Sequence, residues 1–103
     1  MDISMNYFKD NIFPKLRDYY AINFSTSIEG DVSSFGNLER VEIEGNNLLG
    51  GIEFWSSGWI DFHLIDSRND KEILNILVSP DKNEEKTKIL EDFKRILIDS
   101  LNN

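Results

Sequence analysis

The sequence has no cysteine and only two prolines among its 103 residues. Without cysteine the chain has no disulfide, no thiolate nucleophile and no cysteine-ligated zinc or iron–sulfur cluster. The glycine-containing stretch GNNLLGG fits neither of the phosphate-binding patterns GxxxxGK[ST] and GxGxxG, and the acidic turns lack the spacing of a calcium-binding EF-hand loop. The sequence therefore predicts neither a cofactor nor a metal ion.

Positive charge and long apolar runs are also scarce. Eleven basic residues stand against nineteen acidic ones, which gives a net charge of −8. Such a charge repels phosphate backbones and attracts basic proteins, so we expect a basic protein partner and no direct contact with nucleic acid. The N-terminus lacks a signal-peptide pattern and no run approaches the roughly 20 apolar residues of a membrane span, which predicts a cytoplasmic protein without membrane contact.

Enough apolar sequence is present for one core. The hydrophobic content is 40%, of which aromatic residues supply a large part, and this length suits one domain over residues 1–103. A three- and four-residue spacing of apolar side chains predicts an N-terminal amphipathic helix through Met5, Phe8, Ile12, Leu16 and Tyr19. Pro14 removes a backbone donor, so we expect a kink or break near Phe13.

Five segments predict strands. They cover residues 22–28, 38–45, 51–55, 59–66 and 72–78, and the first four alternate apolar and polar side chains. Residues 29–37 are predicted to form a loop, and the short turns that join the later strands favour an antiparallel meander. The fifth segment alternates less clearly, and we expect it to be covered on both faces.

The C-terminal segment predicts a second amphipathic helix. Its apolar stripe consists of Ile89, Leu90, Phe93, Ile96, Leu97 and Leu101. Two N-caps are possible, Ser79 followed by Pro80, or Asp81 with Glu84 three positions later. The predicted fold is α+β: an antiparallel five-stranded meander with N- and C-terminal helices packed on one face of the sheet.

Strand alternation divides the side chains between two sheet faces. The apolar face is predicted to carry Ile22, Phe24, Val41, Ile43, Ile52, Phe54, Ile60, Phe62 and Leu64. The other face is predicted to carry Arg40, Glu42, Glu44, Glu53, Trp55, Asp61, His63 and Ile65. An aromatic side chain amid carboxylates is typical of a protein interface. The alternative is that the 29–37 loop covers Trp55 and that the charges form cross-strand pairs.

Asp61 and His63 supply the alternative to protein binding. They lie two residues apart on one predicted strand, so their side chains share a face, as an acid–base pair or a ligand site in a small cytoplasmic enzyme or ligand-binding domain would require. An Asp-x-His pair occurs by chance in many strands, and no serine stands in a nucleophile-elbow pattern. We therefore predict a protein that is not an enzyme and has no catalytic residues.

The stretch GGIEFWSSGWIDFHLID, residues 50–66, resembles the TriTu family of bacterial immunity proteins, which are found beside polymorphic toxins. The similarity extends in pattern over about residues 40–101, while the N-terminal helix agrees only in kind. The matching elements are Gly51 (or Gly50), Ile52, Trp55, Ser57, Gly58, Asp61, Ile65 and Asp66. Two positions depart from the family pattern: His63 stands where an acidic residue is common, and Trp59 where the residue is usually polar or small.

The resemblance implies a non-enzymatic inhibitor that binds a cognate toxin domain, occludes it and protects the producing cell, as in contact-dependent growth inhibition. A basic nuclease toxin would suit the charge of −8. The departures at Trp59 and His63 would then change partner choice. The predicted toxin-binding residues are Glu42, Glu44, Glu53, Trp55, Trp59, Asp61, His63 and Asp66.

Overall fold

The computed structural model describes residues 3–27 and 36–102, which form helices and one sheet. The elements are α1 Met5–Asn11, α2 Phe13–Leu16, β1 Ala21–Ser27, β2 Leu38–Gly45, β3 Leu48–Trp55, β4 Ile60–Asp66, β5 Lys71–Val78 and α3 Asn83–Asp99, followed by a 3-10 turn at Ser100–Asn102. The strands pair antiparallel in the order β1-β2-β3-β4-β5. The predicted α+β fold with a five-stranded meander is confirmed.

The N-terminal helical segment is interrupted where proline predicts it. Ser4 caps α1, since its hydroxyl oxygen accepts a hydrogen bond from the Tyr7 amide at 3.2 Å. Ile12 separates α1 from α2, and Pro14 lies in the first turn of α2, where an amide donor is not needed. The expected break near Phe13 is confirmed.

The turn between β2 and β3 fixes the register of the sheet centre. Asn46 and Asn47 have φ angles of 50° and 63°, the left-handed pair of a two-residue type I′ hairpin turn, which asparagine tolerates well. The turn is also tied to the end of α3, because the Asn46 side-chain amide donates to the Ser100 hydroxyl at 2.9 Å. Strand β3 consequently starts at Leu48, three residues earlier than predicted.

The helices pack on one face of the sheet, as predicted. Of the side chains predicted for that face, Val41, Ile43, Ile52, Phe54, Ile60, Phe62 and Leu64 are buried. Helix α3 covers β4 through Phe93, whose ring centroid lies 6.3 Å from that of Phe62. Ile22 is half-buried, and Phe24 keeps 36% exposure although its ring meets Phe13 edge-on at 5.3 Å.

The prediction that the fifth strand is covered on both faces is wrong. Strand β5 is an edge strand, with Ile73 and Leu77 exposed and Val78 buried. Its pairing with β4 shifts register between Leu64 and Ile65, so that Ile73 is an extra residue on β5 at this point. This irregularity, and not double burial, accounts for the weak alternation.

Neither predicted N-cap begins the C-terminal helix. Helix α3 starts at Asn83, and its N-cap Lys82 makes no side-chain capping bond. The Ser79 hydroxyl instead donates to the Asp81 carboxylate at 2.7 Å, which holds both side chains in the preceding turn. Glu84 and Glu85 still place negative charge at the helix start. Within residues 3–27 and 36–102, no helix combines the length and apolarity that crossing a membrane needs.

Candidate binding face

The sheet face opposite the helices, here called the open face, is assembled by cross-strand pairing. Ile28 and residues 29–35 of the predicted loop lie outside the described residues. The members of the open face are Ala21, Asn23, Ser25, Ser27, Leu38, Arg40, Glu42, Glu44, Leu49, Gly51, Glu53, Trp55, Asp61, His63, Ile65, Glu72, Asn75 and Leu77. The eight residues predicted for this face all belong to it.

Negative charge dominates the open face. Its five carboxylates belong to Glu42, Glu44, Glu53, Asp61 and Glu72, and its one guanidinium belongs to Arg40. The excess of negative charge in the whole chain is therefore also present on this surface, where it would attract a basic partner.

Four ionisable side chains form a row across β2, β3 and β4, here called the central cluster: Arg40, Glu53, Asp61 and His63. Arg40 Nη2 donates to Glu53 Oε2 at 3.0 Å, and Arg40 Nη1 lies 3.8 Å from the carboxylate of Glu42. Glu53 pairs directly with Asp61 across β3 and β4. His63 Nδ1 lies 3.9 Å from Asp61 Oδ2, which is longer than a hydrogen bond.

The environment of the central cluster raises the pKa of Asp61. Burial is the largest cause because it disfavours the charged carboxylate, and the neighbouring Glu53 adds charge repulsion and a side-chain hydrogen bond. The nearby imidazole of His63 acts in the opposite direction and lowers the pKa of Asp61. The fold thus holds two carboxyl groups side by side. A bound proton or another cation would reduce the electrostatic repulsion between them.

Apolar side chains lie beside the charges. Leu49 is 40% exposed and Leu77 is 51% exposed, while Ile65 is half-buried opposite Leu49. A depression of about 330 Å³ is lined by Arg40, Glu42, Leu49, Gly50, Glu53, His63 and Ile65. The sequence prediction missed Leu49 and Leu77; the two-residue Asn46–Asn47 turn was the available signal for Leu49, because it requires β3 to start at Leu48.

The two tryptophans lie at one end of the open face. Trp55 is the last residue of β3, opposite the buried Leu38, and its amide donates to the carbonyl of Trp59 at 3.0 Å. Trp59 lies in the turn before β4, and both side chains are half-buried. The alternative in which the 29–37 loop covers Trp55 concerns residues that lie mostly outside the described ones, so it stays a prediction.

Asp66 is set apart from the other predicted site residues. It ends β4 on the helix side, paired with Leu48 and Lys71. Its carboxylate accepts hydrogen bonds from the Arg68 amide and guanidinium, the shortest at 2.7 Å. The hydrogen bonds from Arg68 lower the pKa of Asp66 to about 2. Asp66 therefore stabilises the β4–β5 turn and takes no part in the central cluster.

The open face brings Glu42, Glu44, Glu53, Asp61 and His63 together on three adjacent strands, whereas Trp55 and Trp59 lie at its end. Protein-family models, curated proteins and solved structures were compared with the chain, and none matched. The resemblance to immunity proteins accordingly rests on the sequence motif in residues 50–66.

Proposed function

We propose that this protein is a cytoplasmic immunity protein that binds a basic toxin domain through the open face and occludes it. The observation that carries the proposal is the open face itself. In the described part of the chain the helices pack against the other side of the sheet. Exposed Leu49 and Leu77 therefore lie among carboxylates on a surface available to a partner, the mixture expected at a protein interface.

A nuclease is the toxin class that this chemistry suits best. Nucleases bind phosphate backbones with lysine and arginine side chains. Strands that lie about 4.8 Å apart display the open-face carboxylates in rows, so the face offers a basic surface several fixed negative charges. Charge complementarity would speed association, and burial of Leu49 and Ile65 would slow dissociation.

The experiment uses the toxin domain encoded beside the gene for this protein. Co-expression should rescue cells from that toxin, and calorimetry should give a dissociation constant near or below about 1 nM. The double variant Glu42→Lys/Glu44→Lys should weaken binding at least about tenfold by reversing charge on the open face. Its matched control is Glu84→Lys/Glu85→Lys, which makes the same charge change at the start of α3.

Two outcomes would count against this assignment. If the two double variants lose equal affinity, net charge alone governs binding and the open face is not the contact surface. If the neighbouring toxin kills cells regardless of co-expression, the immunity function is wrong. Thermal melting of each variant shows whether a lost affinity reflects unfolding.

A small-molecule site is the second candidate, favoured by the depression beside His63. Its volume of about 330 Å³ lies at the lower end of ligand pockets. A ligand held there would raise the melting temperature of the protein, and His63→Ala would remove that shift. Loss of a catalysed turnover in the same variant would instead identify an enzyme.

A further inference from the structure

We infer that Glu53, Asp61 and His63 form a binding site for one divalent transition-metal ion on the open face. The three residues each offer one ligand atom, and these atoms lie within 4.8 Å of one another. Glu53 on β3 stands directly opposite Asp61 on β4. His63 follows on the same face of β4, so the sheet ladder positions all three backbones.

The geometry needs little adjustment to hold an ion. Zinc-class ions bind nitrogen and oxygen ligands at about 2.0 to 2.2 Å, which places two ligand atoms of one ion about 3 to 4 Å apart. The observed separations reach at most 4.8 Å. The three side chains are half-buried, so small side-chain rotations can close this difference while the strands stay in place.

The donor set selects the class of ion. An imidazole nitrogen with two carboxylate oxygens suits zinc, cobalt, manganese, iron or nickel, whereas magnesium and calcium prefer oxygen ligands alone. Two carboxylates also balance the charge of a divalent ion. Glu53 and His63 both line the depression on the open face, which leaves room for water or a further ligand on the ion.

The surroundings of the triad orient it for binding. Arg40 holds Glu53 through Oε2, which orients the carboxylate, the role that outer partners of metal ligands commonly fill. His63 Nδ1 stops 3.9 Å from the Asp61 carboxylate, a gap that an ion between the two would bridge. An ordinary His63–Asp61 ion pair is the competing explanation, and it predicts no metal binding.

The test is calorimetric and spectroscopic titration of tag-free, chelator-treated protein with Co²⁺ and Zn²⁺. We expect one ion per chain, a cobalt absorption band that Zn²⁺ abolishes, and no binding of Mg²⁺. His63→Ala and Asp61→Asn should each weaken Zn²⁺ binding at least about tenfold. Glu44→Gln removes a carboxylate from the same face outside the triad, and we expect it to change the affinity less than about twofold.

His63 provides a direct reporter because it is the single histidine of the chain. Saturating Zn²⁺ should shift its imidazole ring signals in NMR spectra, since one ring nitrogen becomes a ligand of the ion. Unchanged ring signals, or equal losses of affinity in Glu44→Gln and His63→Ala, would overturn the site. The inference concerns the isolated protein, so its failure would leave the proposed toxin binding untouched.

Discussion

The two faces of the sheet are built from the same strands, but one is buried under the helices and the other carries charged side chains. On the helix face, Ile52 and Phe62 pair across β3 and β4 and are fully buried. In the adjacent cross-strand pair, Glu53 lies opposite Asp61, and both stay partly exposed. A shift of one residue would exchange these faces, so the register that builds the core also assembles the charged surface.

Two adjacent glycines lie in the centre of β3, one on each face of the sheet. Gly50 lies on the helix face and Gly51 on the open face. A Cβ atom on Gly50 would clash with the carbonyl oxygen of His63, and one on Gly51 would clash with that of Val41. Both contacts are to the backbone of a neighbouring strand, so the close approach of the strands excludes any side chain there.

The largest expected change in stability comes from a variant in the core between helix α3 and the sheet. Phe93→Ala removes a fully buried ring that packs against Phe62, and it should lower the free energy of unfolding by about 3 to 5 kcal/mol. Leu77→Ala, on the open face, should change it by less than about 0.5 kcal/mol. Urea denaturation measures both. Similar losses in the two variants would mean that the faces do not differ in burial.

Gly51→Ala tests how closely strands β2 and β3 approach each other. Because the added methyl group meets the Val41 carbonyl, strands β2 and β3 must separate, and we expect a loss of roughly 1 to 3 kcal/mol in unfolding free energy. Asn23→Ala lies in the same row of the open face and serves as the control, with little change expected. A neutral Gly51→Ala would show that the strands yield easily.

Local signals in the sequence were sufficient for much of the fold. Period-two alternation assigned Val41 and Ile43 to the core, and the proline at position 14 located the helix break. Asn46 and Asn47 are typical of a turn because few other residues adopt left-handed backbone angles. Each of these features depends on interactions over a few residues, which a single sequence displays.

Features that depend on partners distant in sequence were not predictable in the same way. The exposure of β5 follows from its place at the sheet edge, and the weak alternation around Ile73 follows from a register shift against β4. The neighbourhood of Glu53 and Asp61 requires the register across the β3–β4 turn, which alternation alone leaves undetermined. Alternation therefore predicts that the central cluster shares one face, whereas the contacts within it follow from the pairing of the strands.

Asp61→Asn should stabilise the protein at pH 7, whereas Phe93→Ala and Gly51→Ala should destabilise it. The pKa of Asp61 is raised in the folded protein, so stability falls as pH rises from about 3.8 through the folded pKa. Removing the charge opposite Glu53 should add roughly 0.2 to 1 kcal/mol to the unfolding free energy.

The matched control is Asp92→Asn on α3. Hydrogen bonds from Lys88 and Arg95 lower the pKa of Asp92, so this variant should be slightly less stable than the wild type at pH 7. Urea denaturation in the presence of a chelator measures both changes. A destabilised Asp61→Asn would show that Asp61 is held mainly by favourable partners.

The smallest effect concerns Asp66, the predicted site residue that lies outside the central cluster. Its folded pKa of about 2 is below the ordinary aspartate value, so its contribution to stability is present above about pH 4 and is lost as pH falls through about 2. Carbon-detected NMR of the carboxyl groups should show Asp66 among the last to take up a proton on acidification.

Arg68→Gln removes the guanidinium that donates to the Asp66 carboxylate and should return the pKa of Asp66 toward its ordinary value. The pKa of Asp61 should stay raised, because its burial and its neighbour Glu53 are unchanged. An equal shift at both residues would mean that the turn and the open face share one electrostatic environment, contrary to the separation seen between them.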